Sequence, residues 1–397
     1  MNKVLKSPGL FFVLFFLLFL GMTQAEITGK VDKSKLHSEL QAALDRFATP
    51  RSLPGATLGI VLPDDSIIRL ASGLADIEKN IKMIPEDRMF SGSIGKTYVS
   101  TVLLQLAEEK KLSILDPVKK YLGEETWFSR LPNADALTIY MLLTHTGGLP
   151  EYVAKPGVWE TVRKFPDKTW TPADRLEFIF DDAPVHPPGN GWSYSDSDYI
   201  ILGYIIEKVT GNTYYSELEK RVLKPLKLTE TTPANKRELK GLVPGYSDLD
   251  APFNIYGKVV ANGKYFFNPQ MEWTGGGLIS TSADLAVWAK RLYEGKFLSK
   301  TSLKKMLTPV SMKTGKPDKE GYGLGVFVWS SDFGAVYGHS GFVPGYNSVM
   351  AYVPKYGFSV GLQINSDTAK KTLKKSVFQM ILEFINIVAK AVEQKHS

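Results

Sequence analysis

Apolar residues recur with a helical period over residues 34 to 47, where Leu36, Leu40, Ala43, Leu44 and Phe47 share one face. Pro50 and Pro54 end that helix. Two strand-like runs follow, Ala56 to Leu62 and Ser66 to Ala71, split by the turn residues Pro63-Asp64-Asp65. A second helical pattern, from about Ser93 to Lys111, carries Val99, Val102, Leu103, Leu106 and Ala107. From there to about residue 270 the pattern is of helices and long loops. Leu137 to Thr146 reads as a helix stopped by Gly147-Gly148. Thr171-Pro-Ala-Asp174 is a capping box opening a helix through Phe180. Helical spacing returns from Asp198 to Thr210, closed by Gly211, and again after Thr281, through Leu292. Beyond residue 320 the pattern shortens to strand period: Gly323 to Trp329, Ala335 to Gly338, Ser348 to Val353 and Phe358 to Ile364. An amphipathic helix closes the chain, from about Lys371 to Gln394.

Strands at both ends and helices between them predict an α/β (α+β) class. The expected architecture is one antiparallel sheet built from both termini and flanked by the terminal helices, with an all-helical insertion. The division is a discontinuous sheet domain, residues 26–90 and 275–397, and a mainly helical insertion, residues 91–274. The cleft between them is the natural site.

The ends and the charge narrow the setting. Lys3 and Lys6 head an unbroken apolar run, Leu10 to Leu20, and Thr23-Gln24-Ala25 offers small residues for cleavage before Glu26. Residues 1–25 therefore read as a signal peptide, with an uncleaved N-terminal anchor as the alternative. Either way the expected location is exported, periplasmic or secreted. The chain has no cysteine, which excludes disulfides, thiolate catalysis and cysteine-based metal sites. Removing Lys3 and Lys6 with the leader takes the formal charge of +7 to +5. That is mild, and no dense basic tract with interleaved aromatics accompanies it, so nucleic acid is not an expected partner.

The candidate chemistry starts at Phe90-Ser-Gly-Ser-Ile-Gly-Lys-Thr97. Ser93 and Lys96 stand three apart, which on a helix places them on one face. A serine hydroxyl is a poor nucleophile without a nearby base. A helix N-terminus adds free N–H groups that suit a developing oxyanion. The pattern alone is cheap: Ser302-Leu-Lys-Lys305 repeats it on what reads as a solvated surface helix. Two further clusters add weight. Pro188-Gly-Asn-Gly-Trp-Ser-Tyr194-Ser-Asp196 delivers Tyr194 just before a helix. A lone tyrosine is most simply a packing residue. Beside a cation, though, its phenol would ionise more readily and relay a proton. Gly338-His-Ser-Gly341-Phe342 ends a strand, where a small-residue edge lets a substrate lie alongside as an added strand. There His339 and Ser340 are candidate ligands for a substrate carboxylate or carbonyl.

The order Ser-x-x-Lys, Tyr-Ser-x, His-Ser-Gly resembles the penicillin-recognising serine hydrolases. The similar branch holds class C β-lactamases, DD-carboxypeptidases, D-aminopeptidases and esterases. Leu142-Leu-Thr-His-Thr-Gly-Gly-Leu-Pro150 and Gly275-Gly-Gly-Leu-Ile-Ser-Thr-Ser-Ala-Asp-Leu285 resemble it too, and the similarity spans about residues 34 to 365. The resemblance implies Ser93 as the acylated nucleophile, Lys96 as its base and Tyr194 as the proton shuttle. It places Asp196, His339, Ser340 and Gly341 along the substrate and assigns the oxyanion hole to the backbone N–H groups of Ser93 and Phe342. It implies a small-molecule or peptide substrate, peptidoglycan as a candidate partner, and no metal or cofactor. The five histidines, His37, His145, His186, His339 and His396, show no ligand spacing, and His145 reads as structural. Asp196 departs from the pattern, which ends in Asn. A carboxylate there accepts only. It is expected to pair with Lys96 and hold it protonated, which disfavours β-lactam turnover and admits a substrate with a cationic group.

Two rival chemistries fail on the residues. Gly95-Lys96-Thr97 looks like the end of a P-loop, but Phe90 stands where that motif needs glycine. Neither Ser93 nor Ser340 lies in Gly-x-Ser-x-Gly. The expectation is an exported serine hydrolase acting through an acyl-enzyme on D-amino-acid peptides, amides or esters. The alternative is a non-catalytic penicillin- or peptidoglycan-binding protein or scaffold.

Overall fold

A computed structural model describes residues 31–48 and 53–393; the leader at residues 1–25 and the end of the last expected helix lie outside them. Helix α1 (Lys33–Phe47) starts where the Asp32 carboxylate accepts the N–H groups of Ser34 and Lys35. A hairpin follows, β1 (Gly55–Val61) and β2 (Ile67–Asp76), then the short β3 (Ile81–Lys82). Five more strands come late in the chain: β4 (Gly321–Tyr322), β5 (Phe327–Ser331), β6 (Gly334–Val343), β7 (Tyr346–Val353) and β8 (Phe358–Ile364). They join the first three in one eight-stranded sheet of order β4-β5-β6-β7-β8-β1-β2-β3, antiparallel throughout. Residues from the two ends of the chain thus meet at the centre, where Ala56 pairs with Ile364 and Val61 with Ser359.

Both faces of the sheet are covered, so β1 and β8 are buried at every position and read as near-continuous apolar runs. On one face α1 and α6 (Val377–Glu393) bring Leu40, Leu44, Ile381 and Phe384 against Leu58, Val349 and Leu362. Each such side chain contributes about 1.5–3 kcal/mol on burial. On the other face lies α5 (Ser282–Tyr293), N-capped by the Thr281 hydroxyl accepting the Asp284 N–H. It sits tightly: a Cβ on Gly59 of β1 would lie 2.5 Å from the Ser282 carbonyl oxygen and 2.6 Å from Ala283 Cα. Beyond α5 the larger apolar core continues into the central part of the chain. It takes in α2 (Gly95–Glu108), α3 (Ile139–Thr144) and α4 (Asp196–Thr210).

The structure departs from the sequence pattern in four places. Gly323 to Trp329 is not one strand: the chain turns at Gly323–Val326, where Leu324 and Gly325 donate their N–H groups to Met306 and Leu143 instead of to a ladder. The terminal helix is not continuous from Lys371. A short turn, Ala369–Thr372, precedes a break with Lys374 at φ +55, and α6 opens where Ser376 and Gln379 cap one another reciprocally. The capping box at Thr171 forms, but its α-helix ends at Leu176 in a further 3-10 turn. The central region, expected to be helices and loops, also holds a hairpin, Tyr246–Leu249 with Ile255–Lys258, and a smaller one at Val260–Ala261 and Lys264–Tyr265. These strands are short, rich in polar residues and half exposed, so they lack the alternation that marks a strand. Ser302 lies on a short helix, Lys300–Met306, capped by Ser299, as a surface-helix reading expects. Among the described residues no helix is long and apolar enough to cross a membrane.

The close seat of α5 makes a stability prediction. Gly59→Ala is expected to destabilise the fold by about 1–3 kcal/mol through overpacking against the α5 backbone. Urea unfolding of the two proteins measures this, and an unchanged midpoint would refute so tight a contact.

Candidate active site

Ser93 lies on a 3-10 turn, Gly92–Ile94, that leads straight into α2. The turn is possible because Gly92 takes φ +51 and because nothing projects from it: a Cβ there would lie 2.5 Å from the Phe342 amide nitrogen. Ser93 is half-buried, and Lys96, one turn later, is fully buried. The Lys96 ammonium donates to Ser93 Oγ at 3.0 Å, to the Gly275 carbonyl at 2.6 Å and to Asp196 Oδ1 in a very short ion pair. The Gly275–Gly276 backbone closes directly onto the turn, since a Cβ on Gly276 would lie 2.8 Å from the Ser93 nitrogen. Three acceptors use all three N–H bonds of an ammonium. Burial disfavours that charge, but the Asp196 carboxylate and the Tyr194 oxygen favour it, and the balance holds Lys96 protonated above the usual lysine range. The expected Lys96–Asp196 pair is therefore formed.

Tyr194 comes from the loop ahead of α4, its ring 4.9 Å from Lys96 Nζ. Its hydroxyl is buried beside Lys96 and Ser93 without a hydrogen-bond partner among the described residues. The expectation that a neighbouring cation makes it a phenolate is corrected. Burial raises its pKa, Lys96 lowers it, Asp196 raises it again, and the net shift is upward. Tyr194 is a phenol in this site.

His339, Ser340 and Gly341 lie on β6, which pairs with β7 through Phe342↔Asn347 and Val343↔Tyr346. The two-residue Pro344–Gly345 turn closes the ladder at Val343. Alternation of an antiparallel ladder then directs the Phe342 N–H away from β7, toward Gly92. On that side β5 ends its pairing at Gly338, so residues 339–343 present a free strand edge beside Ser93. The N–H groups expected to form the oxyanion hole, those of Ser93 and Phe342, sit on the two backbones that abut at Gly92. His339, expected as a ligand for a substrate carboxylate or carbonyl, has both ring nitrogens engaged within the protein. It is buried, its Nδ1–H donates to the Ser340 carbonyl at 2.6 Å, and its Nε2 accepts the Tyr322 hydroxyl at 2.9 Å. Burial and the nearby Lys96 charge push its pKa down to about 3, so it is neutral. Ser340 is half-buried.

A model of the family described as Beta-lactamase matches residues 40–377. The chain belongs to the beta-lactamase family. Its curated relatives include Protein flp of Staphylococcus aureus (strain MRSA252), 26% identical over 333 residues, which are 83% of this chain and 63% of that protein. The chain spans less than two thirds of the first curated relatives it matches. Among solved structures, a D-stereospecific amidohydrolase from Streptomyces sp. superposes with a TM-score of 0.74 at 29% identity, covering 90% of this chain and 99% of that one. A D-amino acid amidase from Ochrobactrum anthropi shares the fold at TM-score 0.74 and 23% identity, covering 91% and 99%. The chain has the antiparallel sheet and many helices that its resemblance implied.

Around these residues the structure adds others, and it keeps His145 in the structural role the sequence suggested. His145, at the end of α3, pairs through Nδ1 with Asp198 Oδ2 at 2.7 Å. Ser195 N–H points at the same Nδ1 at 3.3 Å. Burial drives His145 down and Asp198 up, which makes the pair neutral. The His145 ring centroid lies 4.4 Å from that of Tyr194, 4.8 Å from Tyr322 and 5.3 Å from Tyr199, so it forms the wall behind Tyr194. Glu151 accepts the Asp196 N–H at 2.7 Å, capping α4, and burial with the nearby Asp196 charge raises its pKa well above the carboxylate range. Glu272 sits three residues before Gly275, is 7% exposed, and its carbonyl accepts the Gly275 N–H at 2.7 Å. Glu151 and Glu272 lie just outside the two resembling blocks, which end at Pro150 and begin at Gly275. Among the described residues no His, Cys, Asp and Glu cluster is suited to a metal ion.

The hydrogen bonds of His339 set its tautomer, while burial and the Lys96 charge set its titration. Its pKa is about 3 folded against 6.5 unfolded, so the unfolded chain binds the extra proton between those values. Stability should fall as pH drops from 6.5 toward 3, and His339→Gln should flatten part of that slope in pH-dependent thermal melts. Nitrogen-15 NMR of the imidazole should show the neutral Nδ1–H form near pH 6; an imidazolium there would refute the assignment.

Proposed function

We propose that the protein is an exported amidohydrolase that cleaves amides, peptides or esters of D-amino acids through an acyl-enzyme on Ser93. The observation that carries the reading is the half-buried Ser93 Oγ, 3.0 Å from Lys96 Nζ, beside the Tyr194 phenol and the free edge of β6. The likeness to a D-stereospecific amidohydrolase at 29% identity supports the amide substrate class. The Lys-headed apolar leader supports export.

The steps follow from the groups present. Ser93 Oγ attacks the carbonyl carbon, and its proton passes to Lys96 once that amine is free. The oxygen gains charge against the N–H groups of Ser93 and Phe342, which are aimed before the reaction begins. Tyr194 carries the proton from Lys96 to the leaving nitrogen as the C–N bond breaks. Water then enters, gives a proton back along the same path, and releases the acid from Ser93.

One observation favours the non-catalytic alternative: in the free site Lys96 has no lone pair to offer and Tyr194 is a phenol. The two readings separate in one experiment. The protein is incubated with D-phenylalaninamide, p-nitrophenyl butyrate and a penicillin, and followed by intact mass and product release. The hydrolase reading expects a transient adduct with release, a loss of about 10⁴-fold or more in kcat/KM for Ser93→Ala, and about 10²–10⁴-fold for Tyr194→Phe. A permanent penicillin adduct without turnover of any reagent establishes the binding reading, and full activity of Ser93→Ala removes Ser93 from the mechanism.

A further inference from the structure

The free edge of β6 has two ends, and different side chains stand at each. At one end the His339 ring lies 6.3 Å from that of Tyr194, the phenol beside Lys96. Phe342 follows three residues later, which in a strand is about 10 Å further along. Its backbone abuts the serine turn, since a Cβ on Gly92 would lie 2.5 Å from the Phe342 nitrogen. Its side chain stays in the open: Phe342 is 38% exposed, while its strand neighbours Gly341 and Val343 are buried. Phe253 meets that ring edge to face, with centroids 6.0 Å apart and planes at 72°. Phe253 is half-buried and packs in turn on the buried Trp159, at 4.8 Å between centroids. Its loop is pinned on two sides. The Phe253 N–H donates to the Asp250 carbonyl at 3.1 Å, and the Phe253 carbonyl accepts Arg163 Nη1 at 2.9 Å, from the helix Pro156–Lys164. Two rings held by distant parts of the chain thus present an apolar face to water beside the nucleophile's turn, a cost that a covering ligand removes.

We propose that Phe253 and Phe342 form a shelf for an aromatic group on the acyl side of the substrate. This rests on the acyl-enzyme reading of Ser93 and deepens it. Position along β6 decides the side. Tyr194 hands the proton to the leaving group, so the leaving group belongs at the His339 end. The acyl oxygen belongs at the Phe342 N–H, and the chain attached to the acyl carbon then runs past Phe342 toward Phe253. Ring chemistry decides the occupant. A third ring laid against an edge-to-face pair gains contacts of the same kind beyond plain burial, whereas a methyl group covers little of either ring. The favoured acyl group therefore carries a phenyl or similar ring on a short tether. The shelf touches a part of the substrate that does not react, so it holds ground state and transition state alike. The selectivity appears in apparent binding more than in the limiting rate.

Neutral esters with one leaving group isolate the acyl side. The p-nitrophenol burst from the acetate, 3-phenylpropanoate and 3-cyclohexylpropanoate esters is followed in wild type, Phe253→Ala and Phe342→Ala. Each rate is divided by the same ester's rate with hydroxide. Wild type should favour the phenyl ester over the acetate by about ten-fold or more in the second-order acylation constant, chiefly through tighter apparent binding. The cyclohexyl ester should fall between them. Phe253→Ala should remove most of the phenyl preference and leave the acetate rate unchanged, and Phe342→Ala should lower the preference too. A wild type without phenyl preference, a preference that survives both substitutions, or a cyclohexyl ester that matches the phenyl one overturns the proposal. So does a folded Phe253→Ala protein that slows on all three esters in equal proportion. Should Phe253→Ala fail to fold, Phe253→Leu, which keeps an apolar contact with Trp159 but no ring, takes its place with the same expected loss of preference. A ring-dependent preference without turnover of any amide keeps the shelf and refutes the amidohydrolase reading. No burst from any ester refutes both.

Discussion

The ion pair between Lys96 and Asp196 is the constraint on which the rest of the site depends. A lysine with no exposure is tolerable only if its charge is matched and its three N–H bonds are satisfied. Three separate parts of the chain meet that need: the turn before α2 through Ser93, the N-terminus of α4 through Asp196, and the glycine segment before α5 through Gly275. Each is anchored in turn. Glu151 caps α4 at Asp196, and the Gly275–Gly276 backbone closes on Gly92–Ser93 because no side chain intervenes. The same contacts that bury the lysine therefore aim the serine.

Burial also decides the protonation of everything around that pair. Counting neighbours alone makes Tyr194 an easily ionised phenol, since a lysine stands beside it. In the folded site the low polarity of the aromatic wall and the charge of Asp196 outweigh that lysine. The same wall keeps His339 and the His145–Asp198 pair neutral. In the free site Lys96 is thus a closed ammonium, and the Tyr194 hydroxyl beside it has no partner among the described residues. Such a resting state suits an enzyme that reacts only when the right group arrives, because a partner that changes one charge changes all the coupled ones.

Much of the fold was legible because its strongest signals are local. Helix α1 needs only its apolar stripe and the Asp32 cap, β8 only a buried apolar run between turns, and α5 only Thr281 and its helical period. What escaped were elements whose stability is borrowed from elsewhere. The hairpin at Tyr246–Lys258 carries no alternation. The bend at Gly323–Val326 forms because Met306 and Leu143 take its N–H bonds, and both partners are distant in sequence. The break at Lys374 was readable in principle, since Ser376 and Gln379 are a capping box, but the apolar stripe runs on past it and masks the signal.

The sequence by itself determined the order of elements, the two-ended sheet and the candidates Ser93, Lys96, Tyr194 and Asp196, because helical spacing and short motifs carry their geometry with them. It also determined that Asp196 would meet Lys96 as a carboxylate, which no amide can imitate. Only the tertiary structure decided which of these groups are charged. That depends on desolvation and on neighbours tens to hundreds of residues away, such as Lys96 on His339 and on Tyr194. It also brought in Glu151, whose sequence neighbourhood gives no hint that it caps α4 at Asp196. A side chain's identity is local, but its protonation is set by the whole folded environment, and this site is built from that difference.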